Sequence, residues 1–574
     1  MPMKRILPLI LATIVVVVAA IWLAFGPKTH KPYMIAAANP YAAQAGADIL
    51  AEGGTAADAA VAVQAVLTLV EPESSGLAGG AFMLHWSPKD KKIDAYDGRE
   101  TAPAGATPDM FLDDDGKPLG IVSAVLSGRS VGAPGVVSLL AMAQKQHGKL
   151  PWAKLFEPAI KLAENGFKVP QKLHDAIARD PALAKMPVVQ DYFFTKDANG
   201  NRVPVAAGSI LKNPALAETL KIVAEKGPDG FYKGPVAEGI VKTVQNAPMR
   251  PGTLSMADLA GYQAKDRDAI CRPYRDYKVC AMPPPTSGGI TTLQILGILD
   301  NFDMGQIEPM SVPAIHFIAE AEKLAYADRS KYIGDPDFVK VPVDAMLDAT
   351  YLRGRASLID PSASMKHAEP GTLNKKEADA QGINVSIALP CTSHFVIVDG
   401  DGDVVSMTTS VEAPFGSHLM SGGMILNNQL TDFSFLPTED GKPVANAVAP
   451  GKRPMSAMDP IIVFNKDGDF YAALGSPGGS RIIGYVTETL IGVLDWGMSM
   501  QKAINLPRFL DRNGALELEE NTSLEKLIPQ FKQLGHEVKV ERTFSGLHGI
   551  MVTPLGLEGG ADPRREGKVI AGQT

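Results

Sequence analysis

The chain has 574 residues, 45% of them hydrophobic, enough for a large buried core and a length that ordinarily spans several domains. Its net charge of −8, with no basic patch, argues against nucleic acid as a partner. Three cysteines are too few for disulfides to be the main staple of a secreted chain.

Lys4 and Arg5 precede Ile6 to Phe25, an uncharged apolar run of 20 residues with one proline, long enough to span a bilayer. No small-x-small cleavage site follows before Gly26-Pro27-Lys28, so the run reads as an uncleaved signal-anchor rather than a cleaved signal peptide. Either reading places the rest of the chain outside the cytoplasm. A helical pattern from Ala43 to Glu52 stops at Gly53-Gly54. Thr55 then caps a second helix with Asp58 three residues on, and Val63, Val66, Leu67 and Val70 share one face before Pro72. Strands follow over 81–86 and 93–97, and Arg99 stands just past the second, where ligand-binding side chains collect. Residues 131–324 read as mostly helical and carry no cofactor fingerprint. Cys271 and Cys280 bracket a hairpin turning at Arg275-Asp276, a register that sets them opposite each other, as a disulfide or as two small buried residues. Met282-Pro283-Pro284-Pro285-Thr286-Ser287-Gly288-Gly289 reads as a rigid connector into an apolar helix. Between 360 and 388 the chain turns polar, a mobile approach to Cys391.

Two segments carry chemistry. Thr392-Ser393-His394 opens a β-branched strand, and Asp399 to Asp403 forms the turn to a second strand ending at Ser410. With the turn centred on Asp401, Thr392 falls opposite Ser410, so two hydroxyls face each other; the same residue types are also ordinary strand formers. The Asp-rich turn is no EF-hand, since Val404 and Ser410 occupy the positions that require Gly and Glu. Leu474 to Ile483, with Gly478-Gly479 between an apolar strand and an apolar helix, leaves backbone N–H groups bare at a helix start. That geometry suits an oxyanion, a phosphate or a plain turn. No metal cluster is apparent.

Together with Asn427-Asn428-Gln429-Leu430-Thr431-Asp432-Phe433-Ser434, these motifs resemble the γ-glutamyltransferase family of N-terminal nucleophile hydrolases, from about Ala36 nearly to the C-terminus. The resemblance implies an α+β fold, a four-layer αββα sandwich with antiparallel sheets between helix layers. It also implies self-cleavage between Cys391 and Thr392. After the leader at 1–30, residues 31–391 would form a large subunit and 392–574 a small catalytic one, intertwined in one domain. Freed Thr392 would carry both nucleophilic hydroxyl and α-amine, whose pKa of roughly 8 suits a base at neutral pH. A catalytic histidine is then unnecessary, and His394 reads as structural.

By the same resemblance, Ser410 orients the nucleophile and Gly478 and Gly479 receive the oxyanion. Arg99 and Ser456 take the donor's α-carboxylate, and Glu412, Gln429 and Asp432 its α-amino group. No cofactor is implied. The partners are a γ-glutamyl donor and water, an amino acid or a dipeptide as acceptor; the membrane is met only through the N-terminal segment, with the catalytic part periplasmic or exterior. Two departures stand out: Ala457 replaces a second serine of the carboxylate pocket, and the connection from Phe435 to Asn446 is shorter than the lid-bearing members' loop, which predicts an open cleft. The competing readings are a glutaryl- or cephalosporin-type acylase of the same fold and an inert envelope protein. Retained Glu412, Gln429 and Asp432 argue against the acylase, because unpaired buried carboxylates are costly. Ala457 argues for it.

Overall fold

A computed structural model describes residues 31–373, 381–384, 389 and 391–574. The run from Ile6 to Phe25 and much of the polar approach to Cys391 lie outside the described residues. Among the described residues no helix is long and apolar enough to cross a membrane.

The first sheet is built from β1 (Pro32–Ala37), β2 (Gly80–Ser87), β3 (Lys92–Gly98), β4 (Lys265–Arg267), β7 (Cys391–Val398), β8 (Val404–Glu412) and β13 (Lys568–Gln573), in the order β13-β1-β7-β8-β2-β3-β4. The second contains β5 (Ile270–Tyr274), β6 (Tyr277–Ala281), β9 (Ile461–Phe464), β10 (Phe470–Gly475), β11 (His548–Thr553) and β12 (Gly556–Ala561), in the order β12-β11-β10-β9-β6-β5. Every neighbour pair in both sheets is antiparallel.

Strand alternation sorts the core into layers. Ile35, Ala81, Met83, Phe395, Ile397, Val405 and Met407 pack against helices α1 (Pro40–Ala51), α2 (Ala56–Val70) and α3 (Val136–His147). Their alternates Ala36, Phe82, Leu84, Val396 and Val404 face the second sheet, whose other side meets α4 (Gly288–Leu299), α5 (Val312–Tyr332) and α6 (Ile482–Leu494). The result is helix, sheet, sheet, helix.

Local chemistry explains the flanking elements. Thr55 and Asp58 form a reciprocal capping box at the start of α2. All residues of α2 are buried, so the one-face stripe read from its sequence is only part of its packing. Cys271 and Cys280 are cross-strand partners in the β5–β6 hairpin and are joined by a disulfide. The stretch after Phe435 forms a two-stranded ribbon, Thr438–Glu439 with Lys442–Pro443, rather than a lid. Val444 bridges to Gly382, so the ribbon holds part of the approach to Cys391.

Candidate active site

The β7–β8 hairpin follows the expected register from Val398↔Val404 to Ser393↔Thr409, then breaks: Cys391 pairs with Glu412, so one extra residue of β8 sits opposite Thr392. Such a bulge re-aims side chains. The Thr392 hydroxyl donates to the Ser410 hydroxyl at 3.4 Å, a long bond, while Ser410 Oγ donates to the Cys391 carbonyl oxygen at 2.8 Å and accepts from the Glu412 N–H at 2.9 Å. Ser410 thus touches both the hydroxyl and the carbonyl of the bond before Thr392. Gly79 lets β8 come this close, since a Cβ there would lie 2.2 Å from the Ser410 carbonyl oxygen.

Glu412 adopts φ +83°, a strained conformation for a non-glycine residue. Its carboxylate is anchored twice, accepting from the Leu389 N–H at 2.8 Å and from Asn428 Nδ2 at 2.6 Å. Gln429 and Asp432 project from one 3-10 turn, Gln429–Asp432, and Gln429 Nε2 donates to Asp432 Oδ2 at 3.3 Å. Arg99, wholly buried just past β3, donates through Nη2 to Asp432 Oδ2 at 2.5 Å and to the Met455 carbonyl at 2.9 Å, and through Nε to the Pro454 carbonyl at 3.1 Å.

Five buried atoms in this cluster have no hydrogen-bond partner: Arg99 Nη1, Asp432 Oδ1, Gln429 Oε1 and both oxygens of Glu100, whose Oε2 lies 3.8 Å from Arg99 Nη1. One is a cationic donor; Asp432 Oδ1 and Gln429 Oε1 are the acceptors on the cavity side. Burial and the neighbouring Asp432 push the Glu412 carboxyl well above the ordinary range, and burial raises Asp432 against the pull of Arg99. Burial also raises Glu100, beside Arg99, to about 8. A bound cation would let Glu412 and Asp432 ionise together.

Thr392, Ser410, Glu412, Gln429, Asp432, Ser456, Ala457 and Gly479 line one cavity, together with Leu389. The cavity is small in the unbroken chain, ≈ 20 Å³, about one water. Gly478 (φ +146°) and Gly479 (φ +60°) turn the chain between β10 and α6, conformations that need glycine. Ser456 Oγ accepts from the Met458 N–H at 3.1 Å, and Ala457 brings no hydroxyl.

His394 Nδ1 pairs with Thr408 Oγ1 at 2.9 Å, and burial lowers the ring's pKa well below the ordinary histidine value. Some contributors were not singled out from the sequence. Asn428 fixes Glu412, and Arg565 donates to the Thr392 carbonyl at 3.1 Å. Behind Thr392, Glu71 accepts from Ser393 Oγ at 2.7 Å and from Lys172 at 2.7 Å. Arg565 ends the run Gly559-Gly560-Ala561-Asp562-Pro563-Arg564-Arg565, and nothing in that spacing points to Thr392.

The model of the gamma-glutamyltranspeptidase family matches residues 42–572. The chain belongs to that family. A glutathione hydrolase proenzyme of Escherichia coli is 40% identical over 96% of this chain and 93% of its own length, and one of Bacillus subtilis is 38% identical over 89% and 87%. Among solved structures, a cephalosporin acylase from Bacillus halodurans superposes with a TM-score of 0.80 at 28% identity, over 95% of this chain and 99% of that one. The family's αββα arrangement is the one described above.

Proposed function

We propose that the protein is a γ-glutamyl hydrolase and transferase acting through Thr392. The observation that carries this reading is three buried atoms that make no hydrogen bond, of which Arg99 Nη1 has only the Glu100 carboxyl at 3.8 Å. Arg99 Nη1 offers a donor for an α-carboxylate, while Asp432 Oδ1 and Gln429 Oε1 offer acceptors for an α-ammonium. That pattern matches the zwitterionic head of a γ-glutamyl group and leaves its side-chain carbonyl to reach Thr392.

Chemistry begins with the chain's own cleavage. Thr392 Oγ1 attacks the Cys391 carbonyl carbon while Ser410 Oγ–H polarises its oxygen; the C–N bond breaks and the nitrogen takes the proton. Water then hydrolyses the ester, leaving the chain up to Cys391 as the large subunit and 392–574 as the small one. Departure of the new C-terminal end releases Glu412 Oε1 from the Leu389 N–H, and Ser410 from the Cys391 carbonyl. In turnover the α-amine of Thr392 accepts the hydroxyl proton as Oγ1 attacks the γ-carbonyl, with Gly478 and Gly479 N–H groups receiving the oxyanion. The amine leaves with a proton, and water or an acceptor amine resolves the ester. Glutathione, the substrate in the relatives' names, is the reference donor.

The run from Ile6 to Phe25 supports a catalytic part outside the cytoplasm, held by that segment as anchor or delivered by it as a signal. A glutaryl-type acylase is the second reading, favoured by Ala457 and by the likeness to the cephalosporin acylase. Comparing kcat/KM for glutathione and for a glutaryl amide lacking the α-amino group decides between them. Preference for glutathione supports the proposal; preference for the glutaryl amide overturns it.

A further inference from the structure

A second cluster of chemistry-bearing side chains sits at the other end of the first sheet. His85 on β2 and Asp94 on β3 are direct cross-strand partners, and His147 ends α3 above them. His85 is fully buried, yet neither ring nitrogen has a hydrogen-bond partner. Its ring stacks on His147 at 3.7 Å between centroids and 12° between planes. His147 Nε2 lies 3.4 Å from Asp94 Oδ2, and one ligand atom from each of the three residues lies within 4.8 Å of the others.

A buried imidazole with two orphaned nitrogens is costly unless something satisfies one of them. Neutral imidazole is the form that binds metal.

We propose that His85, His147 and Asp94 form a structural site for a divalent cation of the zinc class, tying the β2–β3 hairpin to the end of α3. Two imidazoles and one carboxylate are a three-ligand set for zinc, with water completing the tetrahedron. Bond lengths near 2.0–2.1 Å require ligand atoms roughly 3.3 Å apart, so the rings must rotate from their stack. His147, at a helix end and 17% exposed, has the freedom to do so. The Tyr96 hydroxyl now lies 2.7 Å from His147 Nε2 and must yield that nitrogen when it ligates. Lys92, whose ammonium now contacts Asp94, is mostly exposed and swings away readily. Asp94 also lines a surface pocket with Asp266, Asp268, Lys92 and Arg267, through which a cation from solvent reaches it. The three ligands have no metal-type spacing in sequence because strand pairing and a helix end bring them together.

His85 is five residues along β2 from Gly80, the partner of Ser410, about 17 Å at the rise of a strand. The metal therefore stands apart from the nucleophile. The test uses untagged, cleaved protein stripped with a chelator and desalted. Zn²⁺ binding is measured by titration against a chromogenic chelator, and Co²⁺ binding by its visible d–d absorption, for wild type, His147→Gln and Asp94→Asn. We expect about one Zn²⁺ per wild-type chain, an intense tetrahedral Co²⁺ band, and at least tenfold weaker binding in both variants. Hydrolysis of a γ-glutamyl amide is expected to be unchanged in His147→Gln, which shows that the variant is folded. Wild type binding no more Zn²⁺ than the variants, or a Co²⁺ band that survives both substitutions, overturns the site without touching the proposed activity.

Discussion

Replacing Ser410 with Ala removes one oxygen that makes three contacts at the bond before Thr392. The 3.4 Å contact from Thr392 is too long to contribute much, so the effect rests on the other two. The 2.8 Å bond to the Cys391 carbonyl acts on the oxygen that becomes negative during attack. Loss of one such donor costs on the order of 100- to 1,000-fold in rate, about 2.7–4 kcal/mol. The Glu412 N–H also loses its acceptor, a further cost of about 1–3 kcal/mol felt as stability rather than rate. Self-cleavage of Ser410→Ala is therefore expected to slow at least about 100-fold, while Ser410→Thr, which keeps the hydroxyl, restores most of it. A denaturing-gel time course of freshly purified precursor, with circular dichroism to check the fold, reads both. Cleavage of Ser410→Ala at the wild-type rate, while Thr392→Ala stays intact, would refute the role given to this hydroxyl.

Ala457→Ser is expected to lower KM for a γ-glutamyl donor about tenfold or more, since a hydrogen bond to a charged group is worth roughly 1.5–3 kcal/mol; unchanged KM in steady-state assays removes Ala457 from the carboxylate pocket. His394 is already neutral, so kcat/KM should show no histidine limb near the ordinary value of about 6.5. The profile should instead rise towards the α-amine value of roughly 8, and His394→Gln should keep that shape; a lost or displaced limb in the variant contradicts this. Burial raises Asp459 from 3.8 to about 7. Between those values the folded chain keeps a proton that the unfolded chain releases, so this group's contribution to stability falls as pH rises through the window and levels off above about 7. Asp459→Asn should flatten that part of a plot of thermal midpoint against pH, and an unaltered slope counts against the raised carboxyl.

The parts of the fold that were legible are those in which local chemistry agrees with tertiary structure. The β-branched runs either side of the Asp399–Asp403 turn specified the β7–β8 hairpin, and the turn fixed its register as far as Ser393 by local chemistry. The Thr55–Asp58 pair announced the start of α2 for the same kind of reason. What escaped was set by backbone and by distance. The bulge opposite Thr392 inserts a residue with no composition of its own to mark it. The terminal strand β13 is short and half-exposed, and gains its meaning only by pairing with β1, at the other end of the chain. The proposed substrate pocket gathers Arg99 from a strand end, Glu412 from a bulged strand and Asp432 from a 3-10 turn. Those three share no spacing, so only the family resemblance joined them. Asn428 adjoins Gln429, yet its bond to Glu412 depends on a φ of +83° that no local pattern signals.

The most direct test of Thr392 as a self-generated nucleophile is intact mass and N-terminal sequencing of the purified protein. The account predicts two fragments, the smaller beginning Thr392-Ser393-His394 and running to Thr574. One unbroken chain under native conditions, or a fragment with any other N-terminus and full activity, would contradict it.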